Sequence, residues 1–260
     1  MPEIYGFPDT DLVGLWLPTE EGLTLGANVS TLADLSGNGN NVSLHLGAQV
    51  PVATATSLQT TVAGAGFMFD TDIPWGQEFS IVLATRFSHA VASGTYPVIH
   101  QSTSGFQSGG MGVSNPETGV TINVDHGAAA ANIQPAMFAN AGGGVNFGGS
   151  PRKGVTIDAA SHNAWFITAW SYKPSTDQFT FRAKASGAIL GTSSTDGPTA
   201  AYMEAFGGLH AFGLGRYLTN NVSGEFHGTA MYSTAKDADG LDALITSMKN
   251  HMNAVGIDTV

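Results

Sequence analysis

The chain of 260 residues carries only 11% charged residues, against about 25% in an ordinary soluble protein, and it holds 34 glycines. That composition excludes a charged disordered chain, a coiled coil and a solvent-laced helical bundle. Nine Lys+Arg against twenty Asp+Glu leave a net charge of −11; without a basic footprint to neutralise phosphates, nucleic acid is excluded as a partner and an anionic membrane surface is disfavoured.

No cysteine is present, so a disulfide framework, a thiolate zinc site and a Cys nucleophile are all ruled out. The opening Met1–Asp9 has neither a basic n-region nor an apolar run, which predicts synthesis in a cytoplasm without a signal peptide. No stretch supplies the ~20 continuous apolar residues of a membrane-spanning helix, so no membrane insertion is expected.

Along the chain, short apolar runs alternate with clusters of Gly, Asn, Asp, Ser and Pro, the pattern of many short strands. Leu12–Leu17 reads as a central strand buried on both faces. Ser36-Gly37-Asn38-Gly39-Asn40-Asn41 is a turn, since Asn-Gly tolerates positive φ. Gly66–Phe69 is followed by Asp70 and Asp72 and then Ile73-Pro74-Trp75, which reads as a strand-to-loop corner. Phe79–Ala84 and Trp165–Trp170 are further dense strands. Val120–Val124 and Gln178–Lys184 alternate with a period of two, and Lys173–Asp177 reads as a hairpin loop between Trp165–Trp170 and Gln178–Lys184. Residues 101–150, rich in Gly, Ala and Asn, are expected to be an irregular stretch of the same domain, holding irregular strands, bulges and loops. Glu225–Tyr232 is a late strand.

A helix is predicted at about 236–255, because Leu241, Leu244, Ile245, Met248, Met252 and Val255 share one face at 3.6-residue spacing. Thr234 and Asp237 resemble a capping box at its start, and Gly256 stands where a terminating glycine belongs. One domain over 1–260, all-β with this terminal helix covering one sheet, accounts for the whole pattern.

Residues able to do chemistry are sparse. No nucleophile elbow or phosphate loop occurs, and the eight histidines show neither H-x-H nor H-E-x-x-H spacing. Asp-x-Asp pairs place two carboxylates within reach of a hard cation where the backbone turns. Of Asp9/Asp11, Asp70/Asp72 and Asp237/Asp239, the pair Asp70/Asp72 is the calcium candidate; otherwise no cofactor is expected. Sugar binding needs an aromatic face to stack on C–H groups and amides to bond hydroxyls. The loop aromatics Trp75, Tyr96, Tyr202 and Tyr217 are candidates. Tyr217 is the richest, with Arg216 before it and Asn220 and Asn221 after it. Trp16, Trp165 and Trp170 fall in strands and belong to the core.

Three segments together resemble the concanavalin A-like lectin/glucanase superfamily, in particular its laminin-G-like branch. They are Asp11–Leu17, the Asp34-Leu35-Ser36-Gly37-Asn38-Gly39-Asn40 turn, and Gly224–Ser233 followed by a helix. The resemblance implies a two-sheet antiparallel jelly-roll sandwich, and a branch whose members often bind calcium in edge loops. Its hydrolases carry Glu-x-Asp on one strand, and none of the seven glutamates here sits two residues before an Asp. A non-enzymatic interaction module is therefore expected. The sparse charge favours close symmetric packing, which suggests a homo-oligomeric structural protein of a phage virion: a head decoration, fibre or tail protein made in the host cytoplasm and contacting other virion proteins or host glycans. A free-standing lectin, cytoplasmic or secreted by a non-classical route, is the second reading, and a glycan hydrolase with an unrecognised acid pair the third.

Overall fold

In the computed structural model, which describes residues 3–45, 49–61, 66–89, 98–102, 119–126, 130–138, 155–158, 164–184, 188–194, 208–214 and 222–257, the alternating runs become two antiparallel sheets. The early strands are β1 (Glu3–Ile4), β2 (Phe7–Pro8), β3 (Leu12–Trp16), β4 (Thr31–Leu32), β5 (Val42–Leu44), β6 (Val52–Ala53) and β7 (Leu58–Gln59). The central ones are β8 (Met68–Pro74), β9 (Phe79–His89), β10 (Val98–Ser102), β11 (Gly119–His126), β12 (Ala130–Phe138) and β13 (Val155–Asp158). The last are β14 (Trp165–Lys173), β15 (Gln178–Lys184), β16 (Leu190–Ser194), β17 (Leu209–Gly213) and β18 (Val222–Tyr232), before helix α1 (Ala238–Ala254).

One sheet runs β13-β12-β11-β10-β17-β8-β5-β4 and the other β16-β15-β14-β9-β18-β7-β6, with β3 also on β18. Phe67, Phe69 and Phe212 of the first sheet meet Trp16, Ile81, Leu83, Trp170, Phe181 and Phe226 of the second in one buried layer. The opposite face of the second sheet, with Val82, Ala84, Ile167, Ala169, Ala230 and Tyr232, is covered by Leu241, Leu244, Ile245, Met248 and Met252 of α1. The second sheet is thus buried on both faces. This is why Phe79–Ala84 and Trp165–Trp170 are continuously apolar, and Trp16, Trp165 and Trp170 are all core residues.

Three expectations meet the structure in detail. The helix cap is Asp237 itself, whose carboxylate accepts the Gly240 N–H at 2.9 Å; Thr234 lies outside the helix and its hydroxyl donates to Asp11 Oδ2. At the other end Gly256 fills its expected place: Ile257 N–H donates to Met252 O and Gly256 N–H to Asn253 O, the paired bonds of a Schellman ending. Within 101–150 the described residues include β11 and β12, which pair from Gly119↔Phe138 to His126↔Ala131 without a register shift. Pro135 sits in β12 opposite Ile122 of β11, beyond Ile133, the last residue that β13 pairs among the described residues. Third, β8 continues through Pro74, because β17 pairs it out to Leu209↔Pro74; the chain does not turn at Asp70 and Asp72.

The Asp34–Asn40 turn is a clasp. Asp34 Oδ1 accepts from Leu15 N–H and Ser36 N–H, and Oδ2 accepts from Ser36 Oγ and Asn40 N–H. Asn38 and Asn40 donate side-chain N–H groups to the Leu12 and Val13 carbonyls, and Trp16 Nε1 donates to Asn40 O at 2.9 Å. The motif therefore fastens the turn to β3 and seats the core ring of Trp16. That ring lies over Gly14, where a Cβ would meet its nearest atom at 2.1 Å.

Candidate functional site

The predicted platform residues separate. Trp75 is only 5% exposed, and its ring sits 4.6 Å from His210, 5.8 Å from Phe79 and 6.3 Å from Trp170. It is a core residue and presents no face to a sugar, which corrects its assignment as a platform. Tyr96, Tyr202, Tyr217, Asn220 and Asn221 lie outside the described residues. Among the described residues, His89 at the end of β9 pairs Val222 at the start of β18, while Gly213 pairs Met68 and Pro74, just before Trp75, pairs Leu209.

Just inward of His89 lies a row of side chains on the face that also carries α1. Register places Gln59, Glu225, Arg86 and Trp165 side by side across β7, β18, β9 and β14. Arg86 Nη2 donates to Glu225 Oε1, and Glu225 Oε2 accepts from Ser57 Oγ at 2.8 Å. The Arg86 guanidinium lies over the Trp165 ring, 5.4 Å from its centroid, a cation–π contact. Arg86 is 40% exposed and Glu225 14%, so the guanidinium edge faces outward while its carboxylate partner is held beneath. Both Glu225 oxygens are engaged, which makes this carboxylate a positioning group. The guanidinium N–H groups and the exposed Gln59 amide form a polar contact strip over the buried Trp165 ring.

The calcium candidates occupy one strand. Asp70 pairs with Ser43 and Ala211, and its carboxylate lies 2.6 Å from His45 Nδ1. Asp72 is exposed two residues on, within the register shift between Asp70 and Pro74. Among the described residues no group of three or more His, Asp and Glu side chains comes together around a cation site.

Histidines instead form pairs that spacing does not reveal. His100 Nε2 and His210 Nδ1 lie 3.0 Å apart between the sheets, with rings stacked at 5°. Both are wholly buried; loss of hydration holds His100 well below the ordinary imidazole range and His210 down to about 3, the Pro74 backbone partly opposing the latter. His227 and His251 form a second pair at 2.9 Å, where burial brings His227 to about 4. The signal missed in the sequence was positional: His227 stands at the bulge between Phe226 and Gly228, where β18 changes its outer partner from β7 to β3.

No family model matches the chain, and no curated protein matches it. Solved structures do. The binding domain of botulinum neurotoxin DC, solved in complex with SialylT, superposes with a TM-score of 0.54 at 10% identity over 92% of this chain and 52% of that one. A botulinum neurotoxin type C structure, described as needing two ganglioside molecules for cell entry, gives 0.50 at 10% identity over 92% and 51%. The legume lectin-like domain from Entamoeba histolytica gives 0.51 at 8% identity over 75% of this chain and 91% of that domain. These likenesses show the fold: a two-sheet antiparallel β-sandwich like that of these binding and lectin-like domains. The chain spans about half the length of the toxin binding domains that it matches (52% and 51%).

Proposed function

We propose that the chain is a non-enzymatic carbohydrate-binding module. Its contact surface is the polar strip of Gln59, Glu225 and Arg86 on the outer face of the second sheet. The observation that carries this is the Arg86 guanidinium, 40% exposed and held by Glu225 beside the exposed Gln59 amide. A guanidinium and an amide side by side can bond sugar hydroxyls. Tyr96, Tyr217, Asn220 and Asn221 are proposed as further ligand groups on their residue types alone. The sialyl ligand and gangliosides named for two of the fold neighbours support the reading. The test is a glycan array with wild type, Y217A and R86A. Wild type is expected to retain at least one glycan, with at least tenfold weaker binding in one variant; no glycan bound, or equal binding by all three, overturns it. A chelator arm reports on calcium at Asp70 and Asp72, where loss of binding supports a calcium-assisted module.

We infer from composition a setting for this module: a homo-oligomeric component of a phage particle, head decoration, fibre or tail, made in the host cytoplasm, with the fold of the laminin-G-like branch. The 11% charge supports it, since few ions need be desolvated when copies pack. Sedimentation showing a monomer at high concentration, together with its absence from purified particles, overturns it.

A further inference from the structure

Asn38 and Gly39 form the one Asn-Gly pair of the chain, and both are exposed at the tip of the clasp. Gly39 holds φ +79°, a conformation that glycine adopts without strain. With no Cβ on Gly39, its nitrogen stands unscreened beside the Asn38 side chain. The N–H groups of Leu15, Ser36, Asn38 and Asn40 donate to side chains of the clasp, and that of Gly39 is not among these donors.

The Asn38 amide, by contrast, is fully committed. Its Nδ2 donates to Leu12 O at 2.8 Å and to Ser36 Oγ at 3.0 Å. Neither partner can return a proton. Leu12 O is a carbonyl, and the Ser36 hydroxyl gives its proton to Asp34 Oδ2 at 2.8 Å. The seat therefore takes an N–H donor. A carboxylate in the same place would face two acceptors, with the Asp34 carboxylate just behind one of them.

We propose that Asn38 is a self-modification site gated by the clasp: when the clasp opens, Asn38 deamidates onto Gly39, and the product cannot close it again. The Gly39 nitrogen attacks Asn38 Cγ. A C–N bond forms, the Cγ–Nδ2 bond breaks, and Nδ2 leaves as ammonia with the proton that the Gly39 nitrogen gives up. Water then adds across one C–N bond of the resulting five-membered imide, leaving aspartate or isoaspartate at position 38. Nothing is oxidised or reduced.

The closed clasp restrains this reaction, because both bonds from Nδ2 must break before ammonia can leave. After the reaction the donor to Leu12 O is gone. Isoaspartate also lengthens the main chain by one carbon, two residues before Asn40 completes the clasp. Asn40 Nδ2 donates to Val13 O, and its carbonyl holds Trp16 Nε1. A single opening thus becomes permanent and is passed to the core through Trp16.

The experiment incubates the full chain and its D34A variant in mildly alkaline buffer and follows position 38 by peptide mass mapping. D34A removes the acceptor at the centre of the clasp. It is expected to convert Asn38 about tenfold faster than wild type or more, since the reactive form is the locally open one. Asn38→Asp, made directly, is expected to lower the urea midpoint and to change the tryptophan fluorescence. No conversion at Asn38 in either protein, equal rates in the two, or an Asn38→Asp variant as stable as wild type overturns the proposal. Should D34A fail to fold, wild type in urea below its midpoint takes its place: conversion that quickens with urea supports the gate, and a constant rate overturns it.

Discussion

Arg182 of β15 grips Asp242 of α1 through two parallel bonds, Nε to Oδ1 and Nη2 to Oδ2, each 2.6 Å. The side chain reaches the helix across Gly191, its register partner on β16, where a Cβ would come within 2.4 Å of Arg182 Cδ. A bidentate, partly buried pair of this kind is worth about 1 kcal/mol. Arg182→Ala should lower stability by that amount, read as a shift in the urea midpoint. Gly191→Ala should match or exceed it, because the methyl group also meets the Phe181 carbonyl at 2.6 Å.

The turn clasp should be costly to open. Asp34→Ala leaves the Leu15, Ser36 and Asn40 N–H groups without their acceptor. A loss of about 2 kcal/mol or more is expected, given about 1–3 kcal/mol for a buried donor left unsatisfied. Trp16 fluorescence should report the change, since its indole N–H is anchored on Asn40.

Gly14→Ala tests the seat of the same ring from below. The added carbon would meet three Trp16 ring atoms at 2.1–2.8 Å, and overpacking of this kind costs about 1–3 kcal/mol. Thermal unfolding of the variant measures it; an unchanged midpoint would show that the ring has room to shift.

Acid should weaken the fold. His100, His210 and His227 are neutral when folded, with His210 held to about 3 and His227 to about 4 by burial. Unfolding returns them toward the ordinary value of 6.5. The unfolded chain therefore binds more protons, and stability falls as pH drops below 6.5, levelling only near 3–4. Urea midpoints through that range check the sign.

Trp75→Ala should cost about 3–5 kcal/mol as a buried aromatic truncation, measured by urea unfolding. Any accompanying change in glycan binding would then follow from loss of fold.

The two sheets and the helix were legible because their periodicities are local. Phe179, Phe181 and Ala183 alternate, and Leu241, Leu244, Ile245, Met248 and Met252 recur at helical spacing, so each face declares itself within a few residues. Trp75 was misread for the same reason. Pro74 and the polar residues around it signal a loop, while its burial is decided by Phe79, Trp170 and His210, one of which stands more than 130 positions away. Asp70 reads as a corner until β17 is seen to pair past it. The contact strip left no local trace, since Arg86 and Glu225 are 139 positions apart. His100 and His210 likewise are separated by 110. Such pairs are made by strand order, which a single sequence does not write down.

The two-sided burial of the second sheet has an evolutionary consequence. Side chains on both faces of β9 and β14 are enclosed, one face by the other sheet and one by α1. A change of volume there is felt on one side or the other, so these strands are constrained at nearly every position. Exposed positions such as Gln59 carry no such constraint and can vary while the body of the sandwich is inherited unaltered.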